Sequence, residues 1–564
     1  MPRTQASLRR FALLAAILTT LFAVPGAIDS FGLPKLFVLL VFVSALALLA
    51  APEAAALLRT RPQAAMVLGL FMLGFTVAAL LSRQAAYLTL YGAIGRANGW
   101  LCYISLALIM LVGATAFDSR RVRMIITALA WLGPLMALYG FLQYRGIDPI
   151  DWHRGFVIKG TFGNPDFASG FLGITAVVLL GLALRATAPQ RLRLLALVAM
   201  LWVLWVIKLS LALQGLMGFA VGALVLVGLL LLGADRAGWV RRLRWPYAIS
   251  SGLFLVLSAL AMADRGPLAP LLFKASVQHR WYMWEAALRM FQLRPVTGVG
   301  IEAYNDWYRT TRSAASVAFL GPDVFSSAAH SVPLNLLATG GLVVALPYLA
   351  VLVFVLRCGI IAARNRETRM LSATLTGAWA AYVADSAVSM DQIGIAVWGW
   401  LLGGAVVALL PAAQVAVPSV RLRRASMIAA VVAAALGFGS VAYAAHIDAQ
   451  LSAASRLPTA TAAQRAIAVP ALLRAAAESP EPIRVLGVLE ELHHISANAA
   501  SIAAAVDAVH RFPREVLLWR RLALDYEYAR MWQAAIAVRE HIATLDPLDA
   551  KSLRRLARDR AAGS

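Results

Sequence analysis

The feature that most restricts this chain is a series of apolar runs of about 18 or more residues, recurring along most of its length, each long enough to cross a bilayer core. We expect thirteen spans, near 11–25, 34–51, 64–81, 99–117, 123–143, 166–184, 191–208, 212–233, 246–263, 331–356, 369–388, 392–412 and 425–445. In the 191–233 pair, Lys208 and Gln214 are the main interruptions. The chain is 61% hydrophobic and 14% charged, with a mean hydropathy of +0.74. A soluble domain has roughly 25% charged residues. The expected class is all-α: a polytopic helical membrane protein.

Arginine supplies the orientation. With the N-terminus cytoplasmic, the segments between spans on that side carry 22 arginines, clustered around Arg9, Arg59, Arg121, Arg193, Arg236, Arg364 and Arg423. The short segments on the other side hold seven cations: Lys35, Arg83, Arg96, Arg145, Arg154, Lys159 and Lys208. Positive residues retained on the cytoplasmic side predict this topology. Most of the net charge of +23 is therefore an orientation signal and gives no reason to expect a nucleic-acid partner. The first span, after Arg9-Arg10 and ending near Ala23-Val-Pro-Gly, has the look of a signal peptide, and losing it would reverse no other segment. Cys102 and Cys358 form neither a disulfide framework nor a metal-ligand spacing.

Two regions leave this pattern. Residues 264–330 are a polar, basic and aromatic interruption, with Asp264-Arg-Gly-Pro at its start, Arg280-Trp-Tyr-Met-Trp-Glu in its middle and His330-Ser at its end. The apolar character stops near 445, which divides the chain into a membrane part, 1–445, and a tail, 446–564. In the tail, Trp519, Leu522, Tyr526, Ala535 and Pro547 fit a tetratricopeptide spacing, with Ala523 at the usual Gly. Arg539 and Ile542 depart from that pattern. One repeat cannot bury its own face, so a small α-solenoid built with the helices before it is expected. Both regions fall on the outward side of the predicted topology.

The outward side has no close carboxylate pair suited to glycoside hydrolysis, no zinc spacing, no acidic cluster for Mg²⁺ and no Gly-x-Ser-x-Gly elbow. It offers arginine, histidine and aromatic rings instead. Arginine binds phosphate through a planar fork, and a neutral histidine takes a proton from an attacking hydroxyl. Aromatic rings stack on sugars or settle at the headgroup level. The set suits a lipid-linked, phosphorylated sugar. Several of these residues also have plain structural readings. Asn164 fits a helix cap with Pro165 at the first turn and Asp166 complementing the dipole. Arg280 can pair with Glu285, Trp281 and Trp284 suit packing or the interface, and Asp385 and Asp391 flank a short turn with a solvated, Arg-paired or catalytic role open.

Four stretches then carry a family resemblance. His330-Ser-Val-Pro-Leu-Asn-Leu-Leu-Ala-Thr-Gly-Gly341 resembles the histidine-to-glycine helix start of the O-antigen ligase and polymerase superfamily. Arg280-Trp-Tyr-Met-Trp-Glu-Ala-Ala-Leu with Arg294-Pro-Val-Thr-Gly-Val-Gly300 is similar to the segment that precedes it there. Gly160-Thr-Phe-Gly-Asn-Pro-Asp-Phe-Ala-Ser-Gly170 and Asp391-Gln-Ile-Gly-Ile-Ala-Val-Trp-Gly-Trp400 are similar to further stretches, so the likeness covers about residues 30 to 412. The resemblance implies a GT-C-like, metal-independent glycosyltransferase of the bacterial inner membrane with no cofactor. Its donor would be an undecaprenyl-pyrophosphate-linked glycan at the periplasmic face. The acceptor hydroxyl would belong to lipid A core, a growing glycan or a protein, which are the ligase, polymerase and protein O-oligosaccharyltransferase cases.

By the same resemblance His330 would be the base or acceptor-orienting group, and Arg280 would hold the pyrophosphate as it leaves. Where many members carry a Ser-Arg pair, this chain has Ser210-Leu-Ala-Leu-Gln214, so Gln214 stands in an arginine's place. Lys208, Arg265 or Arg96 would then supply the second charge. The tail's solenoid character tilts the acceptor toward a protein or peptide. A lipid-linked sugar transporter is the alternative from another class. It would call for charged residues at mid-membrane, internal hydropathy repeats and broken helices, whereas these spans carry almost no buried charge and their polar groups gather on one face.

Overall fold

The computed structural model describes residues 2–25, 27, 29–152, 157–233, 238–414, 419–496 and 498–563. Every regular element among them is helical. Nine helices among the described residues are long and apolar enough to cross a membrane: Gly32–Thr60, Pro62–Leu80, Arg123–Tyr144, Pro165–Ala183, Gln190–Leu209, Gln214–Leu232, Arg242–Met262, Val332–Arg364 and Val420–Ser455. Trp100–Ala116 and Ile393–Ala408 are equally apolar but shorter. A chain with this many such helices is a multi-pass membrane protein. The expected spans near 11–25 and 369–388 are helices too, Pro2–Leu21 and Arg369–Val388, but fall outside that set. The 191–233 pair divides at 210–213, where Leu211 adopts a left-handed φ of 59°.

Small residues let these helices touch backbone to backbone. Gly173 lies against the Gly215 carbonyl, Gly222 against the Gly377 carbonyl, and Gly404 against the Met110 carbonyl, so any side chain at these points would overlap its neighbour. Such approach replaces the hydrophobic effect, which does little between helices already in lipid. Ile393–Ala408 is buried along its whole length and forms the centre of the bundle. At one end, arginines close helix C-termini: Arg9 Nη1 donates to the Ala116 carbonyl at 2.7 Å, and Arg61 to those of Ala114, Ala408 and Pro411 at 3.2, 3.1 and 2.8 Å. Part of the arginine excess on that side is thus structural. Arg154 and Arg236, counted in the charge balance, and His153 lie outside the described residues.

At the opposite end, residues 264–330 are not an irregular loop. They form the helices Ala269–Leu272, Ala275–Leu293, Tyr304–Thr311 and Ala314–Leu320, with a small core of Met283, Met290, Tyr304, Tyr308 and Ala329. The apolar run that fades near 445 belongs to one helix that continues to Ser455. Six further helices follow, from Ala462–Glu478 to Ala550–Gly563, and a separate apolar cluster forms from Leu451 to Leu545. Arg539, at a position where the tetratricopeptide pattern has a large aromatic, is 2% exposed and ion-paired with Glu527 and Asp559.

This tail sits on the 264–330 helices through a dense polar seam. Asp546, fully buried, accepts from Arg309 Nη1 at 2.9 Å and Arg312 Nη2 at 2.9 Å. Asn305 donates to Glu515 at 2.7 Å, and Arg520 pairs with Asp323 at 2.8 Å.

Candidate functional site

The site is built where two glycine-bearing stretches interlock. The helix Val332–Arg364 breaks at Gly341, whose φ of 60° and ψ of −162° leave the helical region. Segment 295–300 runs alongside this break. Val299 and Gly300 amides donate to the Ala338 and Thr339 carbonyls at 2.9 and 3.0 Å, while Leu342 and Val343 amides donate to Pro295 and Val296 at 2.9 and 3.1 Å. Backbone carbonyls and amides that the break would leave unpaired are thereby satisfied. Gly298, at φ 68°, and Gly341 each face the other segment's backbone where a Cβ would overlap it. The two motifs singled out in the sequence are each the reason for the other's glycines.

His330 stands at the head of this arrangement. Its φ is +50°, a left-handed conformation unusual for a residue with a side chain. Such strain costs on the order of 1–3 kcal/mol and persists only where the surroundings impose it. The surroundings are specific here. Ser331 starts the helix, Asn335 Oδ1 accepts from the Ala329 amide at 3.2 Å, and Trp284 Nε1 donates to the His330 carbonyl at 3.4 Å. Trp284 therefore holds the histidine's backbone, whereas Trp281 is half exposed. Among the described residues the His330 imidazole has no hydrogen-bond partner, and it keeps some exposure. Desolvation, and then the facing charges of Arg280, His279 and Arg96, push its pKa down to about 3. It is a neutral imidazole turned toward a positive environment.

Arg280 projects from the helix Ala275–Leu293 and pairs with Asp166 at 2.7 Å. Asp166 opens the helix Pro165–Ala183, capped by Asn164 Oδ1, which accepts from the Asp166 amide at 2.8 Å. The cap reading of Asn164 holds, but Asp166 does more than complement a dipole: it anchors the candidate phosphate ligand. Glu285, the other partner considered for Arg280, pairs instead with Arg289 at 2.7 Å. One Arg280 nitrogen is engaged, which leaves most of the five guanidinium donors for a ligand.

Around this pair lies a polar floor. Asp385 is buried against Gly170, and its Oδ1 has no partner. It is within electrostatic reach of Asp166, Asp391 and Arg280. Gln214, 4% exposed, starts the helix Gln214–Gly233, and neither its amide oxygen nor its nitrogen is hydrogen-bonded. The next amide, Gly215, donates to Ser169 Oγ at 3.3 Å, which ties this start to the Asp166 turn. Asp391 is different: Tyr382 and Tyr103 hydroxyls donate to it at 3.0 and 2.9 Å, and it is an anchor already satisfied.

The remaining expected ligands divide. Arg96 is buried and ion-paired with Glu302, which has its own left-handed φ of 60°, yet the Arg96 Nε is unpartnered. Lys208 and Arg265 are exposed, and among the described residues they form no ion pair and no contact brings either to His330. His279 was not singled out in the sequence. It lies one residue before Arg280, its Nε2 is buried without a partner, and desolvation followed by Arg280 lowers its pKa. Its adjacency to Arg280 was the available signal. No three His, Cys, Asp or Glu side chains among the described residues are disposed to hold a metal ion. No family model matches the chain, and no curated protein matches it either.

Proposed function

We propose that this protein is a membrane glycosyltransferase that moves a glycan from undecaprenyl pyrophosphate to an acceptor hydroxyl, in the manner of O-antigen ligases. The observation that carries the reading is His330: a strained, unpaired, neutral imidazole pinned beside Arg280 at the head of a broken helix. In the proposed step the acceptor O–H gives its proton to His330 as its oxygen bonds to the anomeric carbon. The bond from that carbon to the pyrophosphate oxygen breaks, and the leaving group keeps the electron pair. Arg280, with the free Arg96 Nε and the amide of Gln214, stabilises that charge.

The low basicity of His330 responds to charge placed beside it. A bound pyrophosphate places negative charge against Arg280 and Arg96 and cancels their effect on the imidazole. His330 gains basicity in part when the donor is in place, while the larger desolvation contribution stays. The reading extends to thirteen spans, a cytoplasmic N-terminus, and a periplasmic placement of residues 264–330 and of an α-solenoid tail. The acceptor is a glycan, lipid A core or protein.

His330→Ala and Arg280→Gln each remove transfer while membrane abundance and melting temperature hold. Transfer persists in chelator. Wild-type transfer by both variants overturns the assignment, and a strict Mg²⁺ or Mn²⁺ requirement overturns its metal-free form.

A further inference from the structure

A second basic site lies away from His330, where three parts of the chain meet. Ser82–Ala85 follows the helix Pro62–Leu80, residues 294–307 belong to the 264–330 helices, and Arg514 comes from the tail. Between them is a cavity of about 150 Å³ lined by Arg83, Gln84, Arg294, Asp306, Trp307 and Arg514. Two guanidinium groups share one indole: Arg514 lies 3.7 Å and Arg294 5.5 Å from the Trp307 ring centroid. Arg514 also donates to the Asp306 carbonyl and to Thr310 Oγ1, at 3.4 and 3.2 Å. Arg83 and Arg294 have no carboxylate partner among the described residues.

The charge balance of this cavity is incomplete. Its one lining carboxyl, Asp306, accepts from Gln84 Nε2 at 3.0 Å. Burial and the neighbouring Glu515 raise its pKa to about 7, against the weaker pull of Gln84 and Arg514. Three arginines thus face, at neutral pH, at most a partly ionised acid. Arg294 and Arg514 oppose each other's charge. The contrast with the adjoining seam is direct, because there a buried carboxylate, Asp546, pairs with both Arg309 and Arg312. Cations that outnumber the carboxyl beside them in a concave site are what binds a compact oxyanion.

We propose that this junction cavity is an anion site for a phosphate-class group, separate from the His330 centre and bridging membrane part and tail. Arg83 is three residues past the end of a membrane-crossing helix, so a lipid headgroup reaches it as readily as a soluble phosphate does. An occupant would link Arg83, Arg294 and Arg514 and tie the tail to the bundle.

The test uses the full chain, purified in zwitterionic nanodiscs, with sulfate as a tetrahedral dianion that does not titrate between pH 5 and 9 (roughly the range in which protein is handled, with His the usual side chain to change charge there). Calorimetric titration at low salt is expected to show binding that Arg83→Gln and Arg294→Gln each weaken about tenfold, or about 1.4 kcal/mol. Arg83 is exposed and makes no side-chain hydrogen bond or ion pair among the described residues, so its variant reads binding alone. The same binding is expected in Arg280→Gln protein, which separates this site from the proposed transferase centre. Affinity should fall as pH rises through about 7, as Asp306 ionises beside Glu515, Gln84 and Arg514, and Asp306→Asn should flatten that dependence.

Repeating the titration in phosphatidylglycerol nanodiscs distinguishes the source. Competition by the lipid identifies a headgroup, and unchanged affinity identifies a soluble phosphate. Absence of sulfate binding, or full-strength binding by both arginine variants, overturns the proposal.

Discussion

Two clusters of buried arginine sit on the same end of this molecule and have opposite settlements. At the seam between tail and 264–330 helices, Arg309 and Arg312 converge on Asp546, and Pro322, Asp323 and Val324 carbonyls take up further N–H groups. At the centre, Arg280 has one carboxylate contact, Arg96 retains a free Nε, and His330 and Gln214 have none. Burial of charge is costly in both places. The seam offsets most of the cost internally, with Arg312 Nε left over, so its arginines hold the structure together. The centre leaves donors over, and leftover donors in a partly open site are what a ligand completes.

The largest expected effect breaks this comparison at the centre. His330→Gly removes the imidazole but suits the left-handed backbone, so transfer should fall by about 10²–10⁴, the span of general base catalysis, with melting temperature unchanged or higher. A falling melting temperature with retained transfer would make His330 a structural residue like those of the seam. Next comes the seam itself. Asp546→Ala leaves two arginines buried without their partner, a loss of about 3–5 kcal/mol, and hydrogen exchange over 305–325 and 514–549 should accelerate. Unchanged exchange would mean that the seam is not held by its charges.

Smaller effects sharpen the contrast. Arg280→Lys keeps the charge and loses the fork, and about a tenfold drop in transfer is expected; equal rates would reduce Arg280 to a point charge. The last prediction concerns acid. The folded imidazole of His330 is held at about 3, below its ordinary value of about 6.5. Its contribution is therefore in place above about 6.5 and declines toward about 3, because the unfolded chain takes up the proton first. Stability of His330→Gln protein should vary less with pH over that window than wild type, and parallel curves would count against the neutral assignment.

The bundle was legible because hydrocarbon thickness forces long apolar runs, and these survive any detail of packing. Helix ends with local chemistry were legible too, as Asn164-Pro165-Asp166 shows. The helices within 264–330 were not legible, since most are short and mixed in polarity and pack on a small core around Tyr304 and Tyr308. Site pairing was hidden by distance along the chain. Arg280 meets Asp166 across 114 residues and Arg96 meets Glu302 across 206, separations at which neither periodicity nor spacing carries a signal. The glycines of 298 and 341 were visible as a motif, but their mutual contact was not.

The central claim is transfer from a lipid-linked pyrophosphate at the His330 centre. Purified protein, given a defined undecaprenyl-pyrophosphate glycan with lipid A core, glycan and peptide acceptors in chelator, should yield a glycosylated acceptor by mass spectrometry. His330→Gly protein should yield about 10²–10⁴-fold less. An intact donor after incubation with every acceptor, or equal product from the His330→Gly protein, would contradict it.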